Sequence, residues 1–461
     1  MENLLDLVSL AAGNIWTYGI TFLIILSILV FVHEWGHYIV ARLCGVRVED
    51  FSIGFGKELW GRTDKHGTRW KFALIPLGGY VKMYGDTDPA SAGHVDSQNM
   101  SADDRKVAFF AKPVAQRAAI VFAGPAINFL FAIILFAGLY TFVGKPMTMP
   151  IVTGVEMGGA AAAAGFEPHD KIIAIDGKKI ESFEQVRRSV ILALDTPLTM
   201  TVLRDEKELS LNITPLKKVD EDRFGFKHER GYIGLISVGN ALALESIVAV
   251  NGKLTNGNPD KIRELINRFA GKGDVKKEIT LTLKSAKEGE TSDLKVALSK
   301  NMNPQFNDPN AKDYNALYAG PQQNLDFKKL NPITAFGSAV HETYRVSADT
   351  LGALGQMIIG VRSANELGGI IRIGAIAGEM SERGWIAIIS FTALLSINLG
   401  LINLFPIPML DGGHLTFYAI EALRGKPLSE RIQEYAFRFG LVILVCFMVF
   451  ANLNDIIQIL L

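Results

Sequence analysis

Two histidines one helical turn apart with an acid between them, His33-Glu34-Trp35-Gly36-His37, are the residues of this sequence best suited to chemistry. In a helix, positions i and i+4 share a face, so both imidazoles can reach one divalent cation. Glu34 then sits beside that cation, where its carboxylate can take a proton from a water the cation has acidified. That is metal-assisted hydrolysis, and mixed imidazole and carboxylate ligands favour zinc as the ion. A catalytic zinc site wants a third protein ligand and an open position. Asp411 is the leading candidate, in Asn403-Leu404-Phe405-Pro406-Ile407-Pro408-Met409-Leu410-Asp411-Gly412-Gly413. Pro406 and Pro408 interrupt helical hydrogen bonding there, so a carboxylate is delivered on irregular backbone beside an apolar run. His414 and Glu421 are rival ligands, and the plainer reading of Asp411 is a turn or cap residue ahead of the two glycines.

These groups stand in or beside segments fit to enter a membrane. Residues 15–32, 118–144, 385–410 and 439–454 are apolar runs, two of them long enough alone and two with their flanks for the ~20 residues a spanning helix needs. An ionisable side chain at mid-bilayer costs about 2.5–3.5 kcal/mol on insertion scales, so three of them in five residues call for a metal or a partner, the plainer reading being that they sit at the interface and face water. Hydrophobic residues make up 49% of the 461, against 20% charged, which fits apolar segments joined to ordinary soluble parts. Formal net charge is zero, so nothing points to nucleic acid. The two cysteines, Cys44 and Cys446, lie far apart and are read as buried thiols. The start of the chain has no basic residue before Arg42, so no cleavable leader is expected. The loop from 42 to 117 holds Arg47, Lys57, Arg62, Lys71, Lys82, Arg105 and Lys112, and the loop from 411 to 438 adds Arg424, Lys426, Arg431 and Arg438. The positive-inside bias puts both loops in the cytoplasm and residues 145–384 on the far side.

That large segment reads as soluble and β-rich. Short β-branched runs flank Asp176-Gly177, a hairpin signal, and 184–194 has helical spacing. A fainter copy follows: a run at 245–250 before Asn251-Gly252, a helix over 261–269 and an alternating strand over 278–283. Two such copies suggest a tandem module. Residues 300–326, rich in Asn, Pro, Asp and Gln, read as a linker, and 332–361 as an amphipathic helix. Nearer the chemistry, 74–83 alternates around Gly78-Gly79 like a strand or hairpin. A helical substrate cannot offer a peptide bond while its amides are satisfied internally. A strand edge near Gly79, Tyr80 and Val81 could take it as an added, extended strand.

The paired motifs, HExxH in the first apolar run and N-x-x-P-x-P-x-L-D-G in the third, resemble the site-2 protease family of intramembrane zinc metalloproteases, in its bacterial RseP type. Phe51-Ser52-Ile53-Gly54-Phe55-Gly56 and Gly78-Gly79-Tyr80-Val81-Lys82-Met83 match as well, and the resemblance covers essentially the whole chain. It implies His33, His37 and Asp411 as zinc ligands, Glu34 as general base, and Asn403 as a group that holds the substrate backbone or the developing oxyanion. An amide donor near the metal suits that role, though an ordinary helix–helix hydrogen bond is the alternative. The alanine run of the 160s, Gly165-Phe166, Asp170 and Asp176-Gly177 look like a PDZ domain, a fold that binds peptide termini by strand addition. The second copy lacks a clear Gly-Leu and Gly-Asp pair before Ile247, and Leu367-Gly368-Gly369-Ile370 lacks the proline that usually follows the glycine pair.

The expected fold is an α-helical membrane protein with inserted β-rich domains: four transmembrane helices plus tandem PDZ-like domains. Its expected parts are a first transmembrane helix (1–44), a cytoplasmic loop with a β-hairpin (45–113) and a second helix (114–145). Two PDZ-like domains (146–222 and 223–300), a linker with amphipathic helices (301–384), and third and fourth helices (385–414 and 432–461) follow. The resemblance implies a bacterial inner-membrane protease with its PDZ-like region periplasmic and its active site toward the cytoplasm. Its substrates would be single-span membrane proteins, such as an anti-sigma factor or remnant signal peptides, reached after a first cut removes the outer domain. The alternatives are a non-catalytic PDZ scaffold with a structural metal, which leaves Glu34 without a purpose, and a metal transporter. The transporter would want polar groups along several spans, and the second offers only Asn128.

Overall fold

The computed structural model describes residues 2–86, 100–238, 241–284, 290–311, 313–320 and 327–460, so the ends of the expected first and fourth helices, and 312 and 321–326 of the expected linker, lie outside it. Among the described residues four helices are long and apolar enough to cross a membrane. Helix α1 runs Glu2–Leu43, with its apolar window over Tyr18–Leu43. Strands β1 (Val48–Thr63) and β2 (Arg69–Met83) pair antiparallel into a two-stranded sheet, and α2 (Val114–Phe142) follows. The third such helix is α7 (Trp385–Asn403) and the fourth lies in α9 (Glu430–Leu460). Most of each apolar window faces outward, and for the last only 17% of it is buried. Apolar surface of that extent is tolerated when the solvent is lipid.

The β-rich region after α2 is built on β3 (Val152–Glu156), β4 (Lys171–Ile175), α3 (Phe183–Leu192), β5 (Leu198–Arg204) and β6 (Lys207–Ile213). A hairpin of β7 (Leu216–Glu221) and β8 (Lys227–Tyr232) comes next, then β9 (Leu235–Ser237), β10 (Ile247–Val250), α4 (Pro259–Phe269), β11 (Lys277–Lys284) and β12 (Thr291–Leu298). The order strand, turn, helix, strand occurs twice. Both turns place an Asx-Gly pair in the left-handed region, Asp176 and Gly177 at φ 48° and 73° and Asn251 and Gly252 at 46° and 73°. Two-residue hairpins need that geometry to match strand twist.

The expected boundary at 222/223 is crossed by β3. Its hydrogen bonds go to β9 and β12, in a sheet ordered β9, β3, β12, β11, β10. Val152 and Val155 nevertheless pack in the core of the first copy with Phe166, Ile172 and Met200. Just before it, Ile151 bridges to Lys171 of the other sheet. The linker expectation over 300–326 is also corrected in part. Phe306, Leu317 and Ala319 are buried in the second core. The polar side chains that suggested a linker serve the backbone instead: Asn303 bridges the N–H and C=O of Tyr318, and Gln305 donates to the Ala316 carbonyl at 2.9 Å.

Helix α5 (Pro332–Ile358) returns the chain to the bundle. Ala335 and Ala339 pack against Phe136 and Tyr140 of α2 and Ile397 of α7. Its other side meets α3 through Arg188, which pairs with the buried Glu342 at 2.9 Å, and Arg345 also donates to Glu342. Helix α6 (Ile370–Glu382) then begins beside the glycine pair singled out above. Buried Asp455 of α9 accepts from the N–H groups of Gly369 and Arg372 and pairs with the Arg372 guanidinium at 3.2 Å, so a carboxylate caps the helix start.

Candidate active site

Helix α1 carries His33 and His37 on the face that meets α2, and the crossing is unusually close. A Cβ on Gly36 would lie 2.4 Å from the Ala123 carbonyl oxygen, and one on Gly124 would lie 2.2 Å from Nε2 of His37 and 2.9 Å from Cε1 of His33. Gly124-Pro125 therefore gives the imidazoles their space. The ring of His37 is anchored from behind by the Ile120 carbonyl, 2.9 Å from Nδ1.

The carboxylate arrives from the other side of the bundle. Helix α7 ends at Asn403; Pro406 and Pro408 have no N–H to continue it, and Met409 takes a left-handed φ of 87°. Asp411 opens helix α8 (Asp411–Arg424), which folds back onto the turn. Side chains at the next two positions would not fit: a Cβ on Gly412 would sit 2.3 Å from the carbonyl oxygens of Leu404 and Phe405, and one on Gly413 2.5 Å from that of Ile407. The Arg117–Glu421 pair at 2.6 Å ties α8 to α2, and Gly440 of α9 presses on the Pro408 carbonyl.

The outcome is a cluster of three donors. Nε2 of His33 lies 3.3 Å from Nε2 of His37 and 3.2 Å from Oδ2 of Asp411, and Nε2 of His37 lies 3.5 Å from Oδ1. Ligands about 2.0–2.1 Å from a tetrahedral zinc ion lie about 3.3 Å from one another, so the separations fit one such ion. Oδ2 of Asp411 is also buried without a hydrogen-bond donor among the described residues, which a cation would satisfy. Among the described residues this is the one His, Cys, Asp and Glu group with metal-site spacing. Of the rivals, Glu421 is taken up by Arg117, and His414 lines the same cavity but packs its ring 5.2 Å from that of Phe437.

A cavity of about 240 Å³ opens beside the cluster, lined by Glu34, Gly79, Tyr80, Val81 and Asn403 among others. The Val81 backbone N–H is turned toward the Glu34 carboxylate. Gly79 lies close against α1, where a Cβ would come 3.2 Å from Cγ of Glu34 and 2.7 Å from Cγ1 of Val30. The Asn403 amide nitrogen is 3.5 Å from Nε2 of His33. The structure thus brings all eight singled-out residues to one cavity. Two residues not singled out belong with them. One is Gly124; the other is Asn128, whose amide nitrogen lies 3.0 Å from Nδ1 of His33. The visible signals were a Gly-Pro pair and one buried amide inside an otherwise apolar span.

An imidazole–imidazole–carboxylate cluster with an acid beside it, set among apolar helices, is the equipment of a metal-dependent hydrolase built into a helix bundle. The chain belongs to peptidase family M50, the site-2 proteases, whose family description matches residues 21–447. It is 38% identical to an Agrobacterium fabrum protein named as a zinc metalloprotease, over 97% of each chain. It is 36% identical to the regulator of sigma-E protease RseP of Salmonella typhimurium, over 94% of this chain and 97% of that one. The corresponding regulator of sigma E protease of Haemophilus influenzae is 32% identical, over 96% and 99%. This is a zinc metalloprotease of the regulated intramembrane proteolysis type, so the scaffold and transporter alternatives fall.

The tight fit at Gly124 carries a prediction. Gly124→Ala is expected to push the His37 ring out of line and weaken zinc retention by about tenfold, the low end of the effect of disturbing a ligand's support. Metal analysis after dialysis against a weak chelator checks it, and an unchanged zinc content would refute the role given to this glycine.

Proposed function

We propose that this protease cuts the transmembrane segments of single-span membrane proteins, with zinc held by His33, His37 and Asp411. The observation that carries the proposal is the donor cluster, inside the bundle and next to Glu34. When bound, zinc supplies Lewis acidity and lowers the pKa of a water at its open position to about 7. Glu34 takes the proton of the attacking water and returns it to the leaving amine. Asn403 donates its amide to the substrate carbonyl as negative charge grows on that oxygen. Gly79, Tyr80 and Val81 on β2 hold the unwound substrate as an added strand: they pair on one side with Ile53, Ser52 and Phe51 of β1, and among the described residues no strand pairs with their other edge.

The two β-rich copies act as tandem PDZ-like modules on the periplasmic side of the inner membrane, and the active site opens toward the cytoplasm. A cavity of about 480 Å³ between α3 and the Tyr232-Ile233-Gly234-Leu235 segment suits a peptide terminus. The names of the Salmonella and Haemophilus relatives favour an anti-sigma factor as substrate; remnant signal peptides are a second class of the same chemistry.

The test uses purified full-length protein and a single-span reporter made with and without a folded outer domain. The trimmed reporter is expected to be cut inside its apolar segment, cutting to stop with a chelator and return with zinc, and the untrimmed reporter to be cut far more slowly. Equal cutting of both would remove the need for a first cut of the outer domain, and cutting only outside the apolar segment would overturn the intramembrane reading.

A further inference from the structure

One buried group at the site has no part in the reaction described above. Asn128, midway along α2, is fully buried, and its backbone carbonyl accepts from the Ser396 hydroxyl of α7 at 2.8 Å. Its amide nitrogen faces Nδ1 of His33 at 3.0 Å, while its amide oxygen is buried with no hydrogen-bond partner among the described residues. Helix α2 therefore stands behind both imidazoles, but in two ways. Behind His37 it puts the Ile120 carbonyl, which can only accept. That ring must carry its proton on Nδ1, leaving the Nε2 lone pair free for an ion. Behind His33 it puts an amide, which can donate or accept.

The geometry of the cluster decides between the two. Nε2 of His33 is the atom that faces His37 and Asp411, so an ion there takes Nε2 and the ring's proton stays on Nδ1. An amide N–H pointed at that N–H would set donor against donor. Amide oxygen and nitrogen occupy equivalent positions and are told apart by their surroundings. Turning the Asn128 amide by half a rotation brings the orphaned oxygen to Nδ1, where it accepts.

We infer that Asn128 is a positioning residue for His33: with its oxygen toward the ring, it fixes the tautomer and orientation that leave Nε2 free for zinc. No water competes for the bond at a fully buried residue, and the Ser396 contact holds that part of α2 in register with α7. Partners of this kind change metal affinity by about 10–100-fold. The inference rests on His33 being a ligand, so the test carries an arm for each.

The experiment is competition for zinc between the detergent-solubilised full-length protein and a chelator of known affinity. It compares wild type with Asn128→Leu, Asn128→Ser, Asn128→Asp and His33→Ala, with thermal unfolding followed alongside. Leu cannot accept and Ser is too short to reach the ring; both are expected to weaken zinc binding by about 10–100-fold. Asp has the same shape and keeps an acceptor, so it is expected to hold zinc at least as tightly as wild type. Wild-type affinity in Asn128→Ser, or a loss in Asn128→Asp as large as in Asn128→Ser, overturns the inference. Should Leu prevent folding, the contrast of Ser with Asp decides alone. Wild-type affinity in His33→Ala overturns the ligand assignment itself, whereas weakened binding in His33→Ala beside unchanged binding in Asn128→Ser overturns only the role of Asn128.

Discussion

Glu34→Gln is expected to lower the rate of peptide hydrolysis by about 10²–10⁴-fold while zinc content stays at the wild-type level. Glu34 is not one of the three clustered donors, yet it lies one position along α1 from His33 and lines the cavity beside them. Glutamine keeps its size and can still meet the Val81 N–H through its amide oxygen. What it loses is the ability to take up a proton. A metal assay and an initial-rate assay on the same preparation separate the two properties. A mutant that cuts at near the wild-type rate would remove Glu34 from the chemistry, and one that also loses zinc would make it a support of the metal site instead.

Asp411→Ala is expected to do the opposite: zinc and activity are lost together. Asp411 is the one carboxylate among the three donors, and both of its oxygens face imidazole nitrogens. Removal takes away a direct ligand and the site's compensating negative charge. The loss of affinity should exceed the ~100-fold upper end seen for partners one step further out. Chelator competition measures it. Asp411→Asn, which keeps the shape and drops the charge, should fall between wild type and alanine. Unchanged zinc binding in Asp411→Ala would mean another side chain completes the site. Glu421 could do so only by leaving Arg117, at 2.6 Å.

His33, Glu34 and His37 were legible because their meeting is local: one helical turn places them. Asp411 was legible because Pro406, Pro408 and the glycine pair write a broken helix into the sequence, whereas the Arg117 and Phe437 contacts of the rival ligands were not. Gly124 and Asn128 were not legible as site residues. Their place at the site comes from how near α1 and α2 approach, which a Gly-Pro pair and one amide in an apolar span hint at but do not fix. The stretch around Asn303 and Gln305 misled for a related reason. Asn and Gln signal loops because they bond to backbone, and here the backbone they bond belongs to a folded core.

The strand at 152–156 sets a rule for how this region can be rearranged. Thr153 gives its hydroxyl proton to the Ile236 carbonyl, Gly154 lies against Leu294 and Val296, and the valines on either side fill the neighbouring core. Splicing at 222/223 would leave one fragment with a strand lacking its ladder and the other with a gap in its sheet. The block is therefore expected to move between proteins and to melt only in one piece, with a single calorimetric transition despite its doubled pattern.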